Sequence, residues 1–164
     1  MSSSKNVRSR LGEKLTDEAI AFIKENKDFF PTVKNDNICL THSDSKPVNL
    51  LYTDIRKVFV LDWKFAHAGI RILDFSILLR HRHQFPLDLS ALESGYVNSG
   101  GNLPSEWQRS VFIIDFVNIV QLMDNPPERP KLFQQLKNAI QTTISQWESA
   151  SDLYRFGSNR LENI

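Results

Sequence analysis

The sequence predicts an α+β domain, mostly helical, with one small β-hairpin. Three observations predict it. The apolar run Val58-Phe59-Val60-Leu61 faces a second short apolar stretch, Leu50–Thr53, across turn residues at 54–56, and such a pair reads as a hairpin. From residue 72 onward apolar positions recur at helical spacing over 72–80, 86–97, 105–123 and 128–149, with Gly and Pro between the segments. The segment 105–123 is apolar almost all round (Trp107, Val111, Phe112, Ile113, Ile114, Phe116, Val117, Ile119, Val120, Leu122), and a helix of that kind belongs at the centre of a fold.

In chain order, the polar, basic stretch 1–10 is expected to be a disordered start, residues 11–150 the folded domain and 151–164 a fraying tail. Thr16 is placed as an N-cap, with Asp17 and Glu18 favouring the first turn. A helix over 17–27 follows, with Ala19, Phe22 and Ile23 on its apolar face and Phe29 and Phe30 beyond it. Asn35-Asp36-Asn37 reads as a turn, and Ile38–Thr41 as a short strand leading into the loop 42–49. The hairpin then puts Asp44 and Asp62 at one end of a small sheet. Trp63 and Phe65 are expected to pack beneath that end, and 65–69 to form a loop. In the helix over 72–80, Asp74 sits within an apolar set, and a buried carboxylate needs a partner. We expect it to hold the loop backbone or His42, in preference to acting as a plain acid at a helix N-terminus. Arg80-His81-Arg82-His83 reads as a solvated basic helix end, because two His at i and i+2 do not share a helix face. Pro86 opens a helix to about Val97 with Leu87, Leu89, Leu92 and Tyr96 inward, ended by Gly100-Gly101. Pro104 suits the first turn of the central helix. The polar exceptions on that helix, Asp115, Asn118 and Gln121, recur every three residues and would face a substrate cleft or satisfy neighbours. The last helix carries Leu132, Leu136, Ile140, Ile144 and Trp147 on one stripe and docks on the core.

Composition narrows the partners. At 164 residues and a formal charge of +1, one domain can bury a core, and bulk electrostatics give no reason to expect a nucleic acid or an anionic membrane. The single cysteine, Cys39, reads as a small core hydrophobe. No run of eighteen apolar residues predicts a membrane span. The start lacks an apolar secretory core and resembles an organellar transit peptide only faintly, so the cytoplasm is the expected location.

The chemistry concentrates between 38 and 65. His42-Ser43-Asp44 is followed by Pro47 and Asn49, and the apolar run ends in Asp62-Trp63. This is the H-x-D-x-x-x-x-N spacing of a phosphoryl-transfer loop, followed by a strand that ends in an aspartate. Phosphoryl transfer needs an attacking hydroxyl held in line and cations over phosphate oxygens. A loop Asp can accept or orient the hydroxyl proton, and an Asp and an Asn carbonyl are the hard oxygen donors that Mg²⁺ prefers. Pro47 stiffens the loop. His42 is better suited to holding the backbone than to acid–base work.

The motifs HSDSKPVNLL, VFVLDWKFA and LDFS, in that order, resemble the aminoglycoside phosphotransferase and choline kinase-like family of protein-kinase-like small-molecule kinases. The resemblance runs from about Leu11 to about Trp147 and includes GYVNSGGNLPSEWQ. It implies a protein-kinase-like C-terminal lobe using ATP as co-substrate. Asp44 would be the catalytic base, with His42 beside it. Asn49 and Asp62 would hold magnesium and so the nucleotide phosphates, and Asp74 would be the structural aspartate. The acceptor would be a small-molecule hydroxyl or amine, with Trp107, Asp115 and Asn118 as candidate contacts. Three departures qualify this. Ser43 stands where the family has Gly, and Lys64 where Glu is common. Nothing upstream of Leu11 matches the nucleotide-binding lobe, so that lobe would come from a longer chain or a partner, or its absence would leave an apolar face for a homodimer.

Other readings compete. The chain could be a remnant lobe that binds a small molecule or protein without catalysis, which Lys64 favours. A metal-dependent hydrolase using His42, Asp44 and Asp62 would need more ligands than His67 can add. Acids that merely cap turns would not explain the joint spacing.

Overall fold

The computed structural model describes residues 5–31, 38–54, 57–81, 87–124 and 129–147. It is a mostly helical α+β arrangement with two small antiparallel sheets. The helices are α1 (Lys5–Leu11), α2 (Glu13–Glu25), α3 (Leu73–Arg80), α4 (Leu89–Asn98), α5 (Trp107–Leu122) and α6 (Pro130–Gln146). The strands are β1 (Ile38–Thr41), β2 (Leu50–Tyr52), β3 (Val58–Val60) and β4 (His67–Ile70).

The chain folds from its first described residue. Residues 5–11 form α1, where a disordered start was expected, because Val7 and Leu11 are buried in the main core. Arg8 pairs with Glu13 and Asp17, tying α1 to α2. Helix α2 begins four residues before the predicted start. Gly12, at φ 85°, is its N-cap, and Thr16 lies inside the helix with its hydroxyl donated back to the Gly12 carbonyl at 2.7 Å. The expected turn at 35–37 lies outside the described residues, as do Arg82, His83, Pro86 and the tail.

The central position of α5 follows from its composition. One side packs Ile113, Phe116 and Ile119 with α1, α2 and α6 in the main cluster. Trp107, Val111 and Ile114 form a second cluster with Ile72, against which side chains of α3 and α4 pack. Helix α6 supplies Phe133, Leu136, Ala139 and Ile140 to the main cluster; of the predicted stripe Leu136 and Ile140 are buried there, while Leu132, Ile144 and Trp147 pack against it partly buried. Asp88 caps α4, accepting from the amides of Ser90 and Ala91.

The β2–β3 hairpin pairs Leu50 with Val60 and Tyr52 with Val58. Residues 67–70, expected as loop, form β4 against β1, with Thr41 opposite His67. Gly69 permits this pairing, since a Cβ there would lie 2.8 Å from Thr41 Oγ1. The apolar run does not reach the core: Val58, Phe59 and Val60 are all exposed, together with Leu40 and Leu51.

Candidate functional site

Two backbone anchors hold the loop 42–49. Asp74, at the start of α3, accepts from the amides of His42 (2.8 Å) and Ser43 (2.7 Å), one on each oxygen. Its own carbonyl accepts from Ser45 Oγ at 2.6 Å. Asp74 therefore holds the loop backbone. The second anchor is His42, which is buried. Its Nδ1 accepts the Asp44 amide at 3.2 Å, so the proton lies on Nε2, which meets the Leu61 carbonyl at 2.7 Å. Both ring nitrogens are committed to backbone, which leaves no lone pair for a substrate proton. Trp63 lies edge-on to this ring at 4.8 Å, and its indole N–H donates to the Val60 carbonyl. Trp63 and Phe65 are both exposed, so they flank the loop and do not pack beneath it.

The Leu61 peptide joins the loop to the hairpin. Its N–H donates to the Asn49 carbonyl at 2.8 Å, and its carbonyl faces His42. Asp62 comes next in the chain, so the same contacts place it beside Asn49 and Asp44. The Asn49 amide donates to the Asp44 carboxylate at 2.9 Å and to its carbonyl at 2.8 Å. Asp44, Asn49 and Asp62 are thereby gathered at one end of the hairpin. Two residues there hold positive φ without being glycine: Ser43 at 63° and Asp62 at 62°. Such conformations cost free energy, less for Asp than for most residues, and concentrate at functional sites.

Two lysines sit on these carboxylates: Lys64, already noted as a departure in the sequence, and Lys46, which the sequence did not single out. Lys46 Nζ is 3.0 Å from Asp44, and Lys64 Nζ is 2.8 Å from Asp62. The Lys64 hydrogen bond holds the Asp62 carboxyl below its usual range, with a smaller contribution from Lys46, and Asp62 in turn raises Lys64. Among the described residues no group of three or more His, Cys, Asp or Glu could hold a metal by itself. The donors present suit Mg²⁺ nonetheless, because that ion takes one or two carboxylates and completes its shell with water and phosphate.

A cleft of about 790 Å³ opens beside Asp44. The loop, Phe65 and His67 line one part of it; α3, α5 and the start of α6 line the rest. Asn118 and Gln121 line it, while the other proposed acceptor contacts do not. Trp107 is buried in the second cluster, and Asp115 is buried in an ion pair with Arg80, whose Nη2 lies 2.6 Å away. Arg80 and His81 are thus inward cleft residues and not a solvated helix end. The i, i+35 pairing that buries Arg80 across α3 and α5 has no signature in local sequence.

A family model described as "Phosphotransferase enzyme family" matches residues 5–109. The match begins earlier than the sequence motifs suggested and ends near the start of α5, spanning the loop, the hairpin, α3 and α4. No curated protein and no solved structure matches the chain significantly. The match covers more than half of the chain and includes the whole Asp44–Asn49–Asp62 constellation: the chain belongs to the phosphotransferase enzyme family.

Proposed function

We propose that this chain forms the acceptor-binding half of an ATP-dependent phosphotransferase that acts on a small-molecule hydroxyl or amine. One observation carries this reading. The Leu61 peptide is hydrogen-bonded to both His42 and Asn49, which sets Asp62 beside the Asp44–Asn49 pair. In this reading Asp44, lining the cleft and partly exposed, orients the acceptor hydroxyl and takes up its proton. Asn49 and Asp62 offer oxygen donors to magnesium. The ion, when bound, would neutralise charge on the phosphoryl oxygens. His42 and Asp74 position the loop and do not touch the reacting atoms. The exposed apolar side chains Leu51, Val58 and Phe59 are suited to meet a nucleotide-covering lobe, supplied by a longer chain or a partner.

Calorimetric titration with ATP and Mg²⁺ tests the reading. Saturable binding is expected, and Asp62→Ala should abolish it. Equal binding by both proteins would remove Asp62 from the site and overturn the assignment.

A second reading, a non-catalytic binding module, is favoured by the Lys64–Asp62 ion pair, which places an ammonium on the proposed magnesium ligand. Under it, Lys64→Glu would not strengthen Mg²⁺–ATP binding. Under the phosphotransferase reading it would.

A further inference from the structure

The cleft beside Asp44 differs from one built for a cationic acceptor. Among the described residues its lining includes one carboxylate, Asp44, against three permanent cations, Lys46, Arg80 and Arg129. Lys46 already sits on Asp44, and Arg80 on Asp115. A quaternary ammonium or polyamine would therefore meet no free carboxylate there among the described residues. Among the described residues Phe65 is the one Phe, Tyr or Trp in the lining, too few for an aromatic cage.

Arg129 completes the contrast. It is exposed on the cleft and makes no ion pair among the described residues. It is also the N-cap residue of α6, directly before Pro130 at the first helical position. The guanidinium and the positive end of a 17-residue helix thus act at the same place. Asn118 and Gln121 add neutral donors. The cleft therefore runs from Asp44, the proposed hydroxyl-orienting carboxylate, to Arg129, a cation with no ion pair among the described residues.

Building on the phosphotransferase reading, we propose that the acceptor is a small alcohol carrying a carboxylate or phosphate. Its hydroxyl lies at Asp44 and its anionic group at Arg129. In the transfer, the acceptor oxygen forms a bond to the γ-phosphorus of ATP as the bond to the β-bridging oxygen breaks. The hydroxyl proton passes to Asp44, and ADP leaves with the electron pair.

The test uses the full 164-residue chain and four probes: glycerol 3-phosphate, D-glycerate, glycerol and choline. Calorimetry should show saturable binding of the two anions and none of glycerol or choline. Arg129→Gln should weaken anion binding about tenfold, the effect of one missing charge-assisted hydrogen bond. Arg129→Lys should restore most of it. Arg129 is a surface residue, so these variants should fold, and circular dichroism checks that they do. Preferential choline binding would overturn the proposal. So would anion binding that ignores Arg129→Gln, or Arg129-dependent binding that Mg²⁺–ATP displaces, which would make this the nucleotide's own site. A parallel ATP titration separates the two claims. Asp62-dependent ATP binding without anion binding sinks only the acceptor proposal. Arg129-dependent anion binding together with ATP binding that Asp62→Ala leaves unchanged sinks the phosphotransferase assignment and leaves the anion cleft standing.

Discussion

Ser43 shows how much one residue's backbone can reveal. Its φ is 63°, a region that costs a side-chain-bearing residue free energy and that glycine adopts freely. Ser43 is held there by Asp74 and by hydrogen bonds of its hydroxyl with Thr41 and His67, each 3.1 Å. Ser43→Gly should therefore raise stability by only about 0.5–1 kcal/mol in urea denaturation, because removing the hydroxyl's hydrogen bonds offsets part of the relieved strain. Asp74 is the opposite case. Its two oxygens accept two amides, and the NH₂ of an asparagine would turn a donor toward one of them. Asp74→Asn should cost about 2 kcal/mol and loosen the loop, visible as faster hydrogen exchange at the His42 and Ser43 amides; unchanged exchange would refute the anchor. The Asp62 carboxyl, held down chiefly by Lys64, should stay ionised below its ordinary value of 3.8. A folded value depressed below the unfolded one stabilises the fold above the unfolded carboxyl range, and that contribution disappears as pH falls through the folded value. In Lys64→Gln the NMR midpoint of Asp62 should return toward 3.8.

Elements differ in how openly the sequence announces them. The hairpin, α3, α5 and α6 were legible because hydrophobic period and Gly or Pro punctuation coincide. Helix α1 was not, since a basic, Ser-rich segment has no strong period and becomes helical by burying Val7 and Leu11 against distant helices. Strand β4 was missed because His67-Ala68-Gly69 has weak strand preference, and its pairing comes from β1. The sequence singles out Asp44, Asn49 and Asp62 as candidates by their spacing, and Asp74 by its place in an apolar set. It does not single out Arg80, His81 and Arg129 as site residues, because only the tertiary fold brings them to the cleft. The Arg80–Asp115 pair, with side chains 11% and 6% exposed, links α3 to α5. Asp115→Ala should cost about 3–5 kcal/mol, since it strands a buried guanidinium. The double variant Arg80→Met/Asp115→Leu should recover much of that stability in denaturant melts. A double variant no more stable than Asp115→Ala would count against the pair.

At the scale of the whole molecule, α5 contributes to two hydrophobic clusters, so neither should come apart alone. Ile119→Ala, a fully buried truncation in the main cluster, should cost about 3 kcal/mol. It should also lower, by the same denaturant interval, the midpoint of the near-ultraviolet signal to which Trp107 contributes in the other cluster. Separate midpoints for secondary structure and aromatic packing would show instead that the clusters are independent. The described part of the molecule also contrasts in its surfaces. Helices α1, α2, α5 and α6 bury apolar residues in the main cluster, whereas the hairpin leaves Val58, Phe59 and Leu51 outside. The pattern of the run predicts a strand, but only the three-dimensional arrangement shows that its side chains are exposed among the described residues.

The Leu61 peptide separates two kinds of evolutionary freedom. Its side chain is 45% exposed, so position 61 can drift through many residue types at little cost. Its main chain cannot drift, because the N–H and the carbonyl are both spoken for by the loop. Substitutions there should be silent until proline arrives, which removes the donor and cuts Asp62 loose from Asn49. An amide at a visibly exposed residue that resists exchange with heavy water would be the mark of this arrangement.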